Sequence, residues 1–354
     1  MKEALLVYHL VLFCFTLGSL FALYLLRQQK PMLISIADAI SLIILAFCLA
    51  FFYPVDGFGR IQLLVWGFFF YLPLYLAGAA ALLARIKGNY ATVLLVLLVV
   101  ILWTALDAFV IEPQHLQVTR ITLHSPKIAE PVKAVLLADI QTDSPGSYEE
   151  RVLQLAAEED PDLVLFAGDY LQLHDPDQYQ AAVKDLNRIL LAADLNPPLG
   201  IYAVRGNVDG NGWQEIFQGL DVHVFESTES LELDSLVVTG ISWRDSQDTD
   251  LAISSTEKYQ LVLGHSPNFS LGDNGGDLLL AGHTHGGQFQ IPGFGPLLTL
   301  SSVPREWASG LTEIKPGQYL LVSRGIGLER GDAPRLRLFC RPELIIITLE
   351  PDGD

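Results

Sequence analysis

Five short stretches of this 354-residue chain end in side chains that can do chemistry: Asp139-Ile140-Gln141, Gly168-Asp169, Gly206-Asn207, Gly264-His265 and Gly282-His283-Thr284-His285-Gly286-Gly287. Each follows an apolar run of strand length. The donors are carboxylate, amide oxygen and imidazole with no thiolate, a set that suits Mn²⁺, Fe or Zn²⁺ better than a soft metal. The glycines let the backbone turn sharply so that each side chain can face a common cleft. Residues two apart on an extended segment share a face, which aligns Asp139 with Gln141 and His283 with His285. Taken singly, a Gly-Asp or a Gly-His is an ordinary turn; five in this order are a specific signal. The three cysteines, Cys14, Cys48 and Cys340, offer neither a disulfide framework nor a Cys-based zinc site, and leave the redox compartment open.

The elements that must carry these residues are short strands alternating with amphipathic stretches. "KAVLLADI" reads as a buried strand and "SYEERVLQLAAEE" as a helix with Val152, Leu153, Leu155 and Ala156 at helical spacing. "DLVLFAGD" is the next strand, "PDQYQAAVKDLNRILLAAD" the next helix with Pro176 near its start, and "LGIYAVRGN" the third strand. "LVVTGIS", "YQLVLGHS", "DLLLAGHTH", "GQYLLVSRGI" and "ELIIITLE" follow, mostly strand after strand. A βαβαβ opening with a strand-rich second half predicts layered α/β packing with helices outside sheets, and the carboxyl ends of such strands are where ligands bind.

The first third is of another kind. Apolar runs at about 4–26, 32–54, 61–84 and 91–112 are each long enough to cross a bilayer, and predict an α-helical bundle of four transmembrane spans over 1–112. The first run lacks a small-residue cleavage site and three more follow, which argues against a signal peptide. Arg27 and Lys30 in one short loop and Arg85 and Lys87 in another place those loops in the cytoplasm and the remainder outside, with Lys2 pulling mildly the other way. Asp38 and Asp107 fall near span ends, at interfacial positions. A short linker at 113–118 leads to a soluble domain at 117–354. Six basic and five acidic residues lie in the first 116 positions, which leaves 16 basic and 35 acidic for the rest, a net of −19 there. Such a domain repels nucleic acid.

The order of the tips resembles the calcineurin-like metallophosphoesterase superfamily, whose pattern is Asp-x-His, Gly-Asp, Gly-Asn-His-Asp/Glu, Gly-His and Gly-His-x-His, all on strand ends. The resemblance covers nearly all of 117–354. The runs "AGHTHGGQFQIPGFG" and "SRGIGLERGDAPRLRLFCRPELIIITL" look like the membrane-associated bacterial branch, which includes periplasmic-side phosphodiesterases and lipid-precursor pyrophosphatases. It implies two mixed sheets packed face to face with helices outside, and two divalent or transition metal ions, manganese first and iron or zinc as alternatives. Carried over by position, Asp139, Gln141, Asp169 and His285 hold one ion, and Asp169, Asn207, His265 and His283 the other. Asp169 bridges them. Asp169, Asn207 and His265 are then catalytic, and Asn207 contacts the phosphate. Arg205, outside that pattern, is read as a phosphate contact or as a solvated strand-end base. The implied reaction is hydrolysis of a phosphodiester or pyrophosphate by a hydroxide held between the ions.

Two positions depart from that pattern. Gln141 stands where the family usually has His, which implies a weaker or retuned first site that favours hard ions. Val208 stands where the usual His contacts phosphate and protonates the leaving group, so either the substrate carries a good leaving group or water or another side chain supplies the proton, and a pyrophosphate or activated diester fits better than an alkyl phosphomonoester. Asp209 is read as ordering the loop or as a turn residue. The expected location is the inner cell membrane, multi-pass, with the catalytic domain on the extracytoplasmic face. The expected partners are the lipid bilayer and a phosphodiester or pyrophosphate substrate, lipid-linked or a nucleotide-activated lipid. The rival reading is a non-catalytic membrane receptor on a degenerate scaffold of the same kind. A serine nucleophile at Ser266 is excluded by Pro267, which has no N–H for an oxyanion hole. His9, His115, His124, His174 and His223 lie outside the motif tips and are read as surface or packing residues, with His174 and His223 able to reach the cleft.

Overall fold

The computed structural model describes residues 2–53, 55–296 and 298–352. The chain divides into two compact units, the first built from residues within 1–110 together with 332–335 and the second from 111–331 and 336–352. Among the described residues, four helical segments are long and apolar enough to cross a membrane: Leu5–Leu26, Pro31–Phe52, Gly57–Leu83 and Gly88–Gln114. Their inward residues form one core that includes Tyr8, Leu12, Leu42, Leu63, Tyr75 and Leu83. Leucine, isoleucine, valine and phenylalanine cover the outside, with Leu6, Phe21 and Val96 all more than half exposed. That inside-out surface suits helices whose solvent is hydrocarbon, where small residues set how closely backbones approach. Gly67 is one of these, since a Cβ there would overlap Ala46 and the Tyr8 hydroxyl. The third segment is interrupted by a π-helical stretch, Gly67–Tyr71, just before Pro73. Proline has no N–H to give to the preceding turn and crowds its carbonyl, and a widened turn absorbs both defects.

The second unit is built on fourteen strands among the described residues. They are β1 Gln117–Ser125, β2 Val132–Leu137, β3 Leu163–Phe166, β4 Ile201–Val204, β5 Val222–Phe225, β6 Glu229–Glu232 and β7 Leu236–Gly240, then β8 Tyr259–Leu263, β9 Leu278–Ala281, β10 Gln290–Ile291, β11 Gly295–Pro296, β12 Gly310–Lys315, β13 Gln318–Val322 and β14 Glu343–Pro351. One sheet has the order β1-β14-β2-β3-β4-β5 and the other β12-β13-β9-β8-β7-β6, while β10 and β11 form a separate hairpin. Both sheets are mixed. The pairs β1–β14, β2–β3, β3–β4 and β4–β5 are parallel in the first and β7–β8, β8–β9 and β9–β13 in the second, whereas β14–β2, β12–β13 and β6–β7 are antiparallel.

The two sheets lie face to face. Leu136, Leu165 and Val204 of the first meet Val238, Leu263 and Leu280 of the second in one buried core. The alternate residues point the other way. Val135, Leu137, Val164 and Phe166 pack against Val152, Val183, Leu186 and Leu190 of helices Ser147–Glu158 and Pro176–Ala192. Burial on both faces is why these strands read as unbroken apolar runs and not as alternation. Asp175 caps the second helix by accepting the N–H groups of Asp177 and Gln178, and Glu149 bonds back to the N–H of Gly146 at the start of the first. The layered α/β arrangement expected from the sequence is the one observed. The connection before β1 is shorter than the expected linker: helical turns continue through Gln114, and strand pairing begins at Gln117.

Register decides where the chemistry goes. Leu137 lies opposite Phe166, and Phe166 opposite Ala203, so β2, β3 and β4 end at one edge. Leu263 lies opposite Leu280, so β8 and β9 also end together. Leu236 is fully buried between the sheets at the end of β7 away from those tips. Leu236→Ala is expected to lower stability by about 2–5 kcal/mol, whereas Leu191→Ala at an exposed helix position changes it by less than about 0.5 kcal/mol; thermal unfolding of the full chain in nanodiscs, followed by tryptophan fluorescence, separates the two.

Candidate metal centre

The strand tips are not extended, contrary to the simplest reading of the sequence. Asp139, Gln141, Asp169, His283 and His285 all have positive φ, between 30° and 70°. A non-glycine residue pays for that conformation in strain, of the order of 1–3 kcal/mol each, and keeps it only where neighbours enforce it. Hydrogen bonds between tips do so here. The N–H of Asp139 donates to Gly168 O at 3.0 Å, that of Gln141 to Asp169 O at 2.8 Å, that of Gly282 to His265 O at 2.9 Å and that of Gly327 to Asp139 O at 2.6 Å. The consequence is a division that extended backbone would not produce: His283 and His285 serve different ligand groups.

Asp169, His265 and His283 offer ligand atoms within 4.8 Å of one another, and so do Asp139, Asp169 and His285. Asp169 belongs to both groups. Asn207 Oδ1 lies 3.1 Å from His265 Nε2, which is itself 3.2 Å from Asp169 Oδ2. The glycines next to these residues make room. A Cβ on Gly206 would overlap the Asp169 carboxylate, and one on Gly282 would overlap that of Asp139.

Burial makes the site electrostatically demanding. Asp139 and Asp169 are at most 1 % exposed, and the ion pairs they make among the described residues are with His265. Burial and the nearby Asp169 push the Asp139 carboxyl up to about 7, partly opposed by His265. Burial acts the same way on Asp169, but His265 and the Val208 N–H, 2.9 Å from its Oδ1, outweigh it and hold that carboxyl below its ordinary value. Burial works against a charged His265, yet the two carboxylates and the Ala167 carbonyl, 2.6 Å from Nδ1, raise it to about 9. Burial and the charge on His265 lower His283 to about 4, and burial with Arg337 holds His285 far below the usual range.

The residues present fit divalent cations. Both ring nitrogens of His285 are buried without a hydrogen-bond partner, and so is Gln141 Oε1. An orphaned buried acceptor is costly, and a cation is the partner that the unprotonated nitrogen of a neutral imidazole and an amide oxygen share. The orientation of the Gln141 amide follows from its neighbours. Its Nε2 donates to Gln172 Oε1 at 2.9 Å and to Glu329 Oε2 at 3.1 Å. Gln172 Nε2 donates to Glu329 Oε1 at 2.8 Å, and Gln172 Oε1 also accepts the Arg330 N–H. A carboxylate only accepts, so both amides must turn nitrogen toward Glu329, and Gln141 Oε1 is left facing the other way.

Several supporting residues were invisible to the sequence reading. Gln172 and Glu329 sit in loops with no pattern of their own. Arg337 is fully buried and donates to the carbonyls of Arg324, Gly325, Gly327 and Cys340, which fastens the loop behind Asp139. An arginine flanked by leucines in "RLRLF" was the available signal. Trp243 lies 5.4 Å from the His265 ring and 5.7 Å from the His283 ring, a wall beside both. Asp209 is buried and orders the loop: Oδ2 accepts the N–H groups of Asp169 and Gly206, and Oδ1 that of Tyr170. Arg205 does not point freely outward. Its guanidinium donates to the Asp209 carbonyl at 2.7 Å and closes the same loop. Ser266 accepts the Asn268 N–H and caps a turn. His174 is exposed, and His223 packs on Phe225, so neither joins the ligand groups.

Comparison with known proteins points the same way. Residues 132–287 match the family described as calcineurin-like phosphoesterase. An uncharacterized metallophosphoesterase of Aquifex aeolicus is 27 % identical over 69 % of this chain and 95 % of its own length. The uncharacterized metallophosphoesterase YkuE of Bacillus subtilis is 27 % identical over 68 % of this chain and 87 % of its own. The phosphodiesterase YaeI of Escherichia coli is 29 % identical over 62 % and 83 %.

Asp209→Ala would strand three buried N–H donors at about 1–3 kcal/mol each. The expected outcome is a drop in the thermal midpoint well beyond that of a surface substitution, together with weaker divalent-ion binding in titration calorimetry. Asp209→Asn, which keeps one acceptor oxygen, should fall between.

Proposed function

We propose that the chain is a member of the calcineurin-like phosphoesterase family, which its residues 132–287 match, and that it is a membrane-anchored hydrolase of phosphodiester or pyrophosphate bonds that acts on a lipid-linked or nucleotide-activated lipid substrate. The observation that carries the hydrolase reading is the pair of ligand groups sharing Asp169. Asp139, Gln141, Asp169 and His285 would hold one divalent ion, and Asp169, Asn207, His265 and His283 the other, with manganese as the first choice for so oxygen-rich a set. Two bound ions supply a nucleophile at neutral pH and positive charge for the developing transition state. The name of the Escherichia coli relative, phosphodiesterase, supports the ester class.

The chain's own residues divide the remaining work. Asn207 is exposed at the rim and neutral, so it can face an anionic phosphate without repelling it. Asp169 is oriented by the Val208 N–H and, through its own N–H, by Asp209. Val208 offers no proton to a leaving group, and Arg205 gives Nε–H and one Nη2–H to the Asp209 carbonyl, with further N–H groups of its fork to offer a phosphate. A substrate whose leaving group needs no protonation suits that wall. The apolar helices support membrane anchoring, and the basic loops at 27–30 and 85–87 favour an extracytoplasmic catalytic unit. The competing receptor reading draws on Gln141 and Val208.

The test uses the full chain in nanodiscs, with metal content and hydrolysis of bis(p-nitrophenyl) phosphate measured together. The expected result is two ions per chain with turnover, and for Asp169→Ala a loss of both ions' occupancy and at least about 10³-fold in turnover. Ligand binding without turnover in any metal would favour the receptor. Val208→His is expected to raise turnover on poor leaving groups by up to about 10²-fold and to leave good ones nearly unchanged. An equal gain on both would contradict the leaving-group argument.

A further inference from the structure

The metal centre leaves one feature of the second unit unused. The β10–β11 hairpin turns through Pro292, Gly293 and Phe294, and holds Ile291 and Phe294 outward, 38 % and 51 % exposed. Phe339, 56 % exposed, lines the same hollow of about 540 Å³, with Arg305, the exposed Glu306 and Ser309 beside it. Phe339 stands there with φ 56°, which a bulky residue adopts only under compulsion.

The compelling contacts lie on both sides of it. Leu338 donates its N–H to Gln288 O at 2.9 Å and accepts that of Gln290 at 3.0 Å, at the root of the hairpin. The Glu112 carboxylate accepts the Phe339 N–H at 2.9 Å and also the N–H of Cys340. Glu112 lies in the last turn of the helical segment Gly88–Gln114, whose 27 residues are long and apolar enough to cross a membrane. A helix of that length covers about 40 Å, so its end falls in the headgroup zone outside a hydrocarbon core of about 30 Å. A continuous hydrogen-bonded path therefore joins the boundary end of that helix to the hairpin root.

We propose that the β10–β11 hairpin and Phe339 form a membrane-contact surface, with Ile291, Phe294 and Phe339 entering the headgroup region of the bilayer and Arg305 meeting lipid phosphates. The Arg305 guanidinium lies 3.6 Å from the centroid of the Phe294 ring. An aromatic body with a cationic tip is the kind of pair that settles at a membrane–water boundary. The net charge of −19 beyond residue 116 rules out docking by bulk attraction to anionic lipid, so the apolar side chains carry the contact and zwitterionic lipid suffices. The hairpin follows His285 by five residues, which brings the bilayer surface close to the ligand groups along the chain. The surface stands whether or not the hydrolase reading does.

The experiment uses the full chain in phosphatidylcholine nanodiscs, with Cys14→Ser and Cys48→Ser to leave only the buried Cys340. A nitroxide label is placed at Phe294→Cys and, to keep every apolar side chain of the hollow intact, separately at Ser309→Cys. Power-saturation spectroscopy compares access by oxygen, which concentrates in lipid, with access by chromium oxalate, which stays in water. The expected result is that oxygen dominates at both positions and chromium oxalate dominates at Leu191→Cys, an exposed apolar side chain on helix Pro176–Ala192. Chromium oxalate dominating at positions 294 and 309 would overturn the proposal. Dipolar broadening between labels of two chains in one disc would also overturn it, by assigning the hollow to a second copy.

Discussion

Two carboxylates buried side by side, Asp139 and Asp169, set the terms for everything around them. Neither reaches solvent, and the cation they pair with among the described residues is His265. Burying an ionised carboxylate without compensation is expensive enough that the group ordinarily takes up a proton instead. Here the cost is met by directed donors: the His283 N–H on Asp139, the Val208 N–H on Asp169 and the imidazolium between them. The left-handed backbone at five positions, the glycines without room for a Cβ and the buried Asp209 follow as the means by which those donors are aimed. A site of this kind is organised for positive charge, and its unpartnered imidazole nitrogens and amide oxygen mark where that charge is received.

The substitution of Gln141 for the family's usual His has a structural counterpart elsewhere in the chain. An imidazole needs one neighbour to fix its tautomer, whereas a primary amide must also be told which end faces inward. Glu329 and Gln172 supply that instruction, since a carboxylate accepts from both amide nitrogens and leaves the Gln141 oxygen turned the other way. The amide's orientation thus rests on three side chains from three loops. Val208 has no such counterpart, and its side chain leaves the wall beside Asn207 without a proton donor.

The two sheets contribute rigidity where the chemistry needs it. Strands buried on both faces are held by core contacts on either side, and their parallel registers bring five ends to common edges. The loops that leave those ends are irregular and polar, yet they are tied to one another by main-chain hydrogen bonds and to the core by Arg337. Precision at the tips therefore depends on packing some distance beneath them.

By itself the sequence determined a good deal. Apolar runs of membrane-spanning length, strand and helix order, and the identity of the donor residues are all local properties, legible because burial periodicity and side-chain chemistry are written residue by residue. The segments read as strands at "DLVLFAGD" and "YQLVLGHS" are β3 and β8, with the tips beyond them. Strand β1 was hidden because its burial alternates weakly and only pairing with β14, more than 200 residues away, makes it a strand. The division of the donors into two groups, with His283 in one and His285 in the other, was implied by the family resemblance and recurs in the structure; tertiary structure alone decided the left-handed backbone that produces it, that Arg205 closes a loop, and that Glu329, Gln172 and Arg337 matter at all. The reason is physical: those facts depend on distances and donor geometry between segments far apart in the chain, and on left-handed backbone that neighbouring strands impose, which no local spacing encodes.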